Sequence, residues 1–244
     1  MGVWEIEILM TGTSPTVLWD FDGTLATRPG LWRSSLMEVL NKHEPGHRVD
    51  EEQIRLYLRD GFFWHKPEEP HLHIKTSNAW WSQTETIFIR AYQGVGFDHK
   101  RASELARLVR ECFINPERFT LYDGTIPALK RLSERGWKHL ILSNHVPELP
   151  DIVKALGLSS YIDFCITSAA TGYEKPNPEA FRIALSITSN PKKVWMIGDN
   201  LIADIRGAEA VGLPAILVRN PAGENMKYFA RDLLEAASII ETSI

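Results

Sequence analysis

"TVLWDFDGTLATRPG", residues 16–30, holds the decision about the fold. The apolar stretch from Val17 ends at Asp20, which reads as a short buried strand. Asp22 follows two residues later, then Gly23 and Thr24. Two carboxylates that close repel each other, and burial makes the repulsion worse. A strand that delivers both into one place needs a cation or a chemical step to make the arrangement worthwhile. A strand-end turn is the plain alternative for a D-x-D standing alone.

Working outward, the texture changes on each side of this stretch. From about Pro29 to Phe119 helical patterns dominate. They are "LWRSSLMEVLNK", "DEEQIRLYLRD" opened by Asp50, "SNAWWSQTETIFIRAYQ" and "DHKRASELARLVRECF" opened by Asp98. "WHKPEEPHLHIK" between the second and third reads as loop. After Phe119, strands and helices alternate. "DGTIPALKRLSERG" is a helix closed by Gly136, and "WKHLILSN" a buried strand. "ELPDIVKALG", "FCITSA" and "NPEAFRIALSI" continue as helix, strand and helix, the last with Asn177 as N-cap and Pro178 at its first position. "KVWMIGDN", "ADIRGAEAVG" and "PAILVR" read as strand, helix and strand. Alternation of this kind predicts an α/β fold, a doubly wound parallel sheet with a Rossmann-like core. The core spans 15–26 and 119–244, an inserted α-helical cap spans 27–118, and residues 1–14 are a loosely attached arm in which "WEIEIL" has the alternation of an edge strand. An insert of about 90 residues after the first strand is expected to cover the site.

Bulk properties narrow the function. The 244 residues carry a net charge of −4, with Lys and Arg scattered rather than clustered, so no nucleic-acid partner is expected. No apolar run is long enough to span a membrane. "MGVWEIEILM" carries two Glu and makes a poor secretory signal, and Ile6 stands where a myristoylation signal wants Ser or Thr. Cys112 and Cys165 make no disulfide framework and read as buried thiols. The cytoplasm is the simplest compartment for such a chain.

The chemistry lies in what the strand ends collect. The first strand offers Asp20, Asp22 and Thr24, and the second offers Ser143 and Asn144. Lys175 follows the third, and Asp199 and Asp204 follow the fourth. In an open parallel sheet these ends converge on one crevice. Several carboxylates around a point call for a hard divalent cation such as Mg²⁺, and a hydroxyl with an ammonium suits phosphate oxygens. On this reading Asp20 attacks phosphorus to give an aspartyl-phosphate, while Asp22 protonates the leaving oxygen and later activates water.

The chain therefore resembles the haloacid dehalogenase-like hydrolase superfamily, in the branch with a helical cap. "DFDGT", "LILSN" ending in Ser143, "YEKPNP" around Lys175 and "IGDNLIADIRGA" with Asp199 and Asp204 match the four motifs in order. The resemblance covers about residues 16–220. It implies Mg²⁺ held by the side chains of Asp20 and Asp199 and the backbone carbonyl of Asp22, with Asp204 acting through bound water or by orienting Lys175. It implies Ser143 and Lys175 gripping the phosphate, Asn144 assisting, and Lys175 offsetting the charge of Asp20. True dehalogenases of the superfamily lack the second Asp, and Asp22 is present here. A small phosphorylated metabolite, phosphoglycolate-like or a sugar phosphate, is the implied substrate, and the protein a monomer or homodimer. A phosphomutase on the same fold, a phospho-accepting signalling module and a non-catalytic binding protein are the alternatives.

The cap is less legible. Phe62, Phe63, Trp64, Trp80 and Trp81 read first as packing between helices, with one or two left to line a pocket. His65, His71 and His73 with Glu68 and Glu69 resemble a metal patch, but H-x-H in a Pro-rich loop reads as exposed loop. His145 is expected to face the cleft, and Arg33 and Arg90 are cap cations that could meet an anion, with an exposed arginine as the default reading.

Overall fold

The computed structural model describes residues 13–221 and 226–243. Six parallel strands form one sheet in the order β5-β4-β1-β6-β7-β8. They are β1 (Thr16–Trp19), β4 (Lys138–Ser143), β5 (Phe164–Thr167), β6 (Val194–Gly198), β7 (Ala215–Val218) and β8 (Phe229–Ala230). β1 lies between β4 and β6, with Leu18 opposite Leu140 on one side and Met196 on the other. The chain winds outward from β1 in both directions, so Asp20 stands at the point where the strand order reverses. Crevices at the carboxyl ends of such sheets form there.

Alternation within the strands explains why both faces are covered. Val17 and Trp19 pack into one apolar cluster with α5 (Thr125–Ser133), α6 (Leu149–Ala155) and α10 (Leu233–Thr242). Leu18 points the other way, into a cluster with α8 (Pro178–Ser186) and α9 (Gly207–Ala210). A strand buried on both faces needs the near-continuous apolar run seen in "TVLW".

The helical insert leaves and re-enters through a narrow neck. β2 (Ala26–Thr27) pairs antiparallel with β3 (Thr120–Leu121). Between them lie α1 (Leu31–His43), α2 (Glu51–Tyr57), α3 (Ser77–Gly94) and α4 (His99–Phe113). Asp50 and Gln53 close a full capping box on α2, and Asp98 caps α4 through the Arg101 N–H. Trp80 and Trp81 are buried between these helices. Glu148, at the start of α6, ties the insert to the core. It accepts from Trp81 Nε1 at 3.0 Å, Ser77 Oγ at 2.6 Å and Arg110 at 2.7 Å. Rings continue the same apolar cluster from the insert into the core, through Phe113, Phe119 and Phe21.

Three sequence expectations differ in part from the structure, and two elements lie beyond those read. "FCITSA" stops being strand at Thr167, whose side chain caps a short helical turn, α7 (Ser168–Thr171). The helix after β6 opens as a turn of π-helix, Leu201–Arg206, because Asn200 O receives N–H groups from both Asp204 and Ile205. β8 and α10 extend the fold beyond "PAILVR", and α10 buries Leu233, Ala236, Ala237 and Ile240. Most of the loop around His71 is exposed as expected, but His71 itself is 3% accessible. The expected "WEIEIL" strand lies outside the described residues, as does most of the 1–14 arm. Among the described residues, no helix is long and apolar enough to cross a membrane.

Candidate functional site

Asp20 is one residue past β1, yet its N–H still bonds Ile197 O at 2.9 Å, so the sheet fixes its backbone. The chain then turns tightly, with the N–H groups of Leu25 and Ala26 both reaching Phe21 O. Gly23 has φ +79° in this turn, and a Cβ there would fall inside the carboxylate of Asp199. Glycine thus serves both the left-handed backbone and the close approach of the neighbouring strand end. Arg219, just beyond β7, holds the turn from outside by donating to Gly23 O at 2.6 Å and Thr24 O at 2.5 Å. Asn220 donates to Asp199 O at 2.8 Å.

The other strand ends meet Asp20 here. Ser143 Oγ donates to Asp20 Oδ1 at 2.9 Å, and Lys175 Nζ donates to the same oxygen at 2.8 Å. Lys175 also donates to Asp204 Oδ1 at 2.5 Å, while Asn200 N–H satisfies Asp204 Oδ2 at 3.0 Å. Gly198 lets Asp204 fold back this far, because a Cβ there would overlap its carboxylate. Asn144 clamps the Lys175 backbone in both directions, at 2.8 Å to its carbonyl and 2.7 Å from its N–H. Asp20, Asp199 and Asp204 each present an oxygen within 4.8 Å of the others.

Electrostatics in this cluster are unbalanced. Burial first, and then the charge of Asp20, push the Asp199 carboxyl up to about 6. Burial lifts Asp204 too, against the opposing pull of Lys175. Burial alone would lower Lys175, but Asp20 and Asp204 outweigh it and hold the ammonium above its usual range. Three carboxylates then face one buried ammonium. That excess of negative charge, presented as hard oxygen donors, fits a divalent cation such as Mg²⁺.

Asp22 stands apart from the close trio. Its side chain is 25% accessible and its Oδ2 lies 3.3 Å from Nε2 of buried His145. Thr24 does not reach the cavity. It is fully buried behind the turn, and its Oγ1 has no hydrogen-bond partner. The cavity itself has a volume of about 1020 Å³. Its floor includes Asp20, Asp22, Ser143, Lys175, Asp199 and Asp204, and residues of the insert form the opposite wall. His145 and Arg33 lie on that cavity, but Arg90 is spent on the carbonyls of Tyr57 and Asp60. The loop histidines do not gather: His65 and His73 stay outside the core, and His71 Nε2 pairs with Glu174 at 3.2 Å. Among the described residues, the three aspartates are the metal-competent cluster. Arg219 and Asn220 were not anticipated, although they sit at the carboxyl end of a strand, where the same rule that found Asp199 applies.

Comparison with known proteins adds to this geometry. The family model for haloacid dehalogenase-like hydrolases matches residues 15–212. Haloacid dehalogenase-like hydrolase domain-containing protein 3 of Bos taurus is 31% identical over 150 residues, 61% of this chain and 59% of the relative. The chain thus spans about three-fifths of that relative's length. Phosphoserine phosphatase of Thermus thermophilus is 32% identical over 136 residues, 55% of this chain and 53% of that protein. The crystal structure of a 2-haloacid dehalogenase from Pseudomonas syringae covers 95% of this chain and 100% of its own, with TM-score 0.68 and 21% identity, a likeness of fold.

Proposed function

The chain belongs to the haloacid dehalogenase-like hydrolases, and from that premise we propose that it is a Mg²⁺-dependent phosphatase acting on a small phosphorylated metabolite through an aspartyl-phosphate. Residues 27–118 serve as its cap. The observation that carries the reading is the convergence of Ser143 and Lys175 on Oδ1 of Asp20, with Asp199 and Asp204 beside it. Asp22 on the cavity floor favours phosphate over carbon–halogen chemistry, because an ester oxygen needs a proton to leave and a halide does not.

Two donors on Oδ1 orient the Asp20 carboxylate, leaving its other oxygen to form the bond to phosphorus as the ester P–O bond breaks. Asp22 gives its proton to the departing alkoxide. It then takes a proton from water, which attacks phosphorus, releases inorganic phosphate and restores Asp20. Ser143 and Lys175 also bind phosphate oxygens, with Asn144 holding the Lys175 backbone in place. Asp204 positions the Lys175 ammonium. Mg²⁺, held by the side chains of Asp20 and Asp199 and the carbonyl of Asp22, would supply the remaining charge neutralisation.

The test is phosphate release from a panel including phosphoglycolate and sugar phosphates, with and without Mg²⁺, for the protein and Asp20→Asn. Mg²⁺-dependent release that Asp20→Asn abolishes is expected. Undiminished release by that variant would refute the nucleophile, and isomerised product without free phosphate would replace hydrolysis by mutase chemistry.

A further inference from the structure

One flank of the cavity is a ladder of aromatic rings. Phe113, at the end of α4, stacks on Trp32 with centroids 3.8 Å apart and planes 10° from parallel. Trp32 lies 5.3 Å from Phe62, and Phe62 stacks on Trp64 at 4.4 Å and 10°. All four rings line the cavity. At the inner end Phe113 is 5.8 Å from the ring of His145, the residue beside Asp22. At the outer end Trp64 is half-buried. The ladder therefore runs from the proposed proton donor toward the outer part of the insert, along the path an ester's organic part would take.

The cations on the same wall are already engaged. Arg28 is buried and donates to Phe113 O at 2.5 Å, Ser35 Oγ at 2.7 Å and Cys112 O at 3.1 Å. Arg33 bridges Glu51 at 2.9 Å and Glu52 at 3.3 Å. Arg55 lies 2.5 Å from Glu52. Lys175 is shared by Asp20 and Asp204. Among the described residues lining the cavity, Arg33, Arg55 and Lys175 each have a carboxylate partner, whereas Arg28 is held by two carbonyls and a hydroxyl and its buried Nε has no hydrogen-bond partner. Once a phosphate is docked at Ser143 and Lys175, a second anionic group on the substrate would find rings, the Glu-paired Arg33 and Arg55, and an Arg28 whose two terminal nitrogens are already bonded to protein. Phe113, Trp32 and Phe62 are themselves buried against one another, so a flat apolar group would stack on half-buried Trp64 and the ring edges behind it.

We propose that the substrate is a phosphate monoester whose alcohol carries an uncharged aromatic ring, seated along the Trp32–Phe62–Trp64 wall. The inference rests on the phosphatase reading and narrows it: a phosphorylated carboxylic acid such as phosphoglycolate becomes a poor substrate. A monoester of this class is supplied by phosphoryl transfer to an aromatic alcohol, and its product is that free alcohol.

The test compares 2-phenylethyl phosphate, ethyl phosphate and phosphoglycolate, measured as phosphate release with Mg²⁺. The first two leave as primary alcohols, so a difference between them reports the ring. We expect kcat/KM for 2-phenylethyl phosphate to exceed both others by on the order of ten- to a hundredfold, mostly through KM. Trp64→Ala should collapse that ratio toward one, and Trp64→Phe, which keeps a ring, should retain most of it. Because the readout is a ratio between substrates on one sample, partial misfolding of a variant does not imitate the effect. Equal or better turnover of phosphoglycolate, or a ratio that Trp64→Ala leaves intact, overturns the substrate class while the phosphatase reading stands. Release from none of the three while a sugar phosphate is hydrolysed overturns this inference alone, and release from no phosphate ester in either panel overturns the phosphatase reading with it.

Discussion

His139 gives the fold an acid-sensitive joint directly behind Asp20, the proposed nucleophile. It is fully buried in β4, and Trp19, the residue before Asp20, donates Nε1–H to its Nδ1 at 3.0 Å. Nδ1 must therefore accept, and Nε2, at 3.1 Å from Ser133 Oγ, carries the proton. Protonating Nδ1 would set two N–H groups against each other in a dry core. Burial, aided slightly by Lys138 and opposed by Asp163 and the Leu129 backbone, pushes the imidazole down to about 4 from 6.5. Between those values the unfolded chain binds more protons than the folded one. The stability contributed by neutral His139 is thus complete above pH 6.5 and is lost as the pH falls toward 4. At about 1.4 kcal/mol per pH unit, the loss across that window is about 3 kcal/mol, a large part of a typical domain's margin.

His139→Asn isolates the effect. Its side-chain oxygen can still accept from Trp19, it does not titrate, and the lost ring volume should cost about 1–2 kcal/mol at pH 7. Urea unfolding of both proteins at several pH values between 7 and 4 gives the difference in stability, and titration elsewhere cancels in it. The variant should begin less stable and gain on the parent as the pH drops, by about 3 kcal/mol in total. A difference that stays constant across the range would show that His139 does not carry the acid sensitivity.

Three further outcomes follow from the same geometry. Lys175→Met leaves Asp20 and Asp204 buried without their ammonium; in metal-free buffer it should lose about 3–5 kcal/mol of stability in urea unfolding, and its phosphatase rate should fall at least about a hundredfold. Gly23→Ala places a methyl group into Asp199 at a left-handed backbone position; calorimetric titration should show Mg²⁺ binding weakened on the order of ten- to a hundredfold, and unchanged affinity would remove Asp199 from the ligand set. His71→Ala strips buried Glu174 of its 3.2 Å partner next to Lys175, and urea unfolding should register a loss of about 3 kcal/mol.

What could be read in the chain, and what could not, divides by how far apart the causes lie. Asp20, Ser143, Lys175, Asp199 and Asp204 were legible because each lies at or beyond the carboxyl end of one of four strands, and a parallel sheet gathers strand ends whatever the details of packing. Asp50 and Asp98 were legible because a cap and its helix are local. His71 was not, because its burial depends on Glu174 and on the Phe63 ring 4.3 Å away, a meeting between an insert loop and a core loop. Thr24 looked like its neighbours in sequence, yet the turn that presents Asp22 to the cavity rotates Thr24 behind it. α10 did carry a local signal, since Asp232 caps Leu233, Ala236, Ala237 and Ile240 at helical spacing. The aromatic residues mark the boundary of what such reading can do. Trp80 and Trp64 are alike on paper. Packing on all sides makes the first a fully buried core ring, while the second ends a stack with its flank on the cavity. The proposed chemistry at phosphorus can therefore be argued from strand ends alone, whereas the proposed choice of what is attached to the phosphorus depends on where four rings of the insert come to rest.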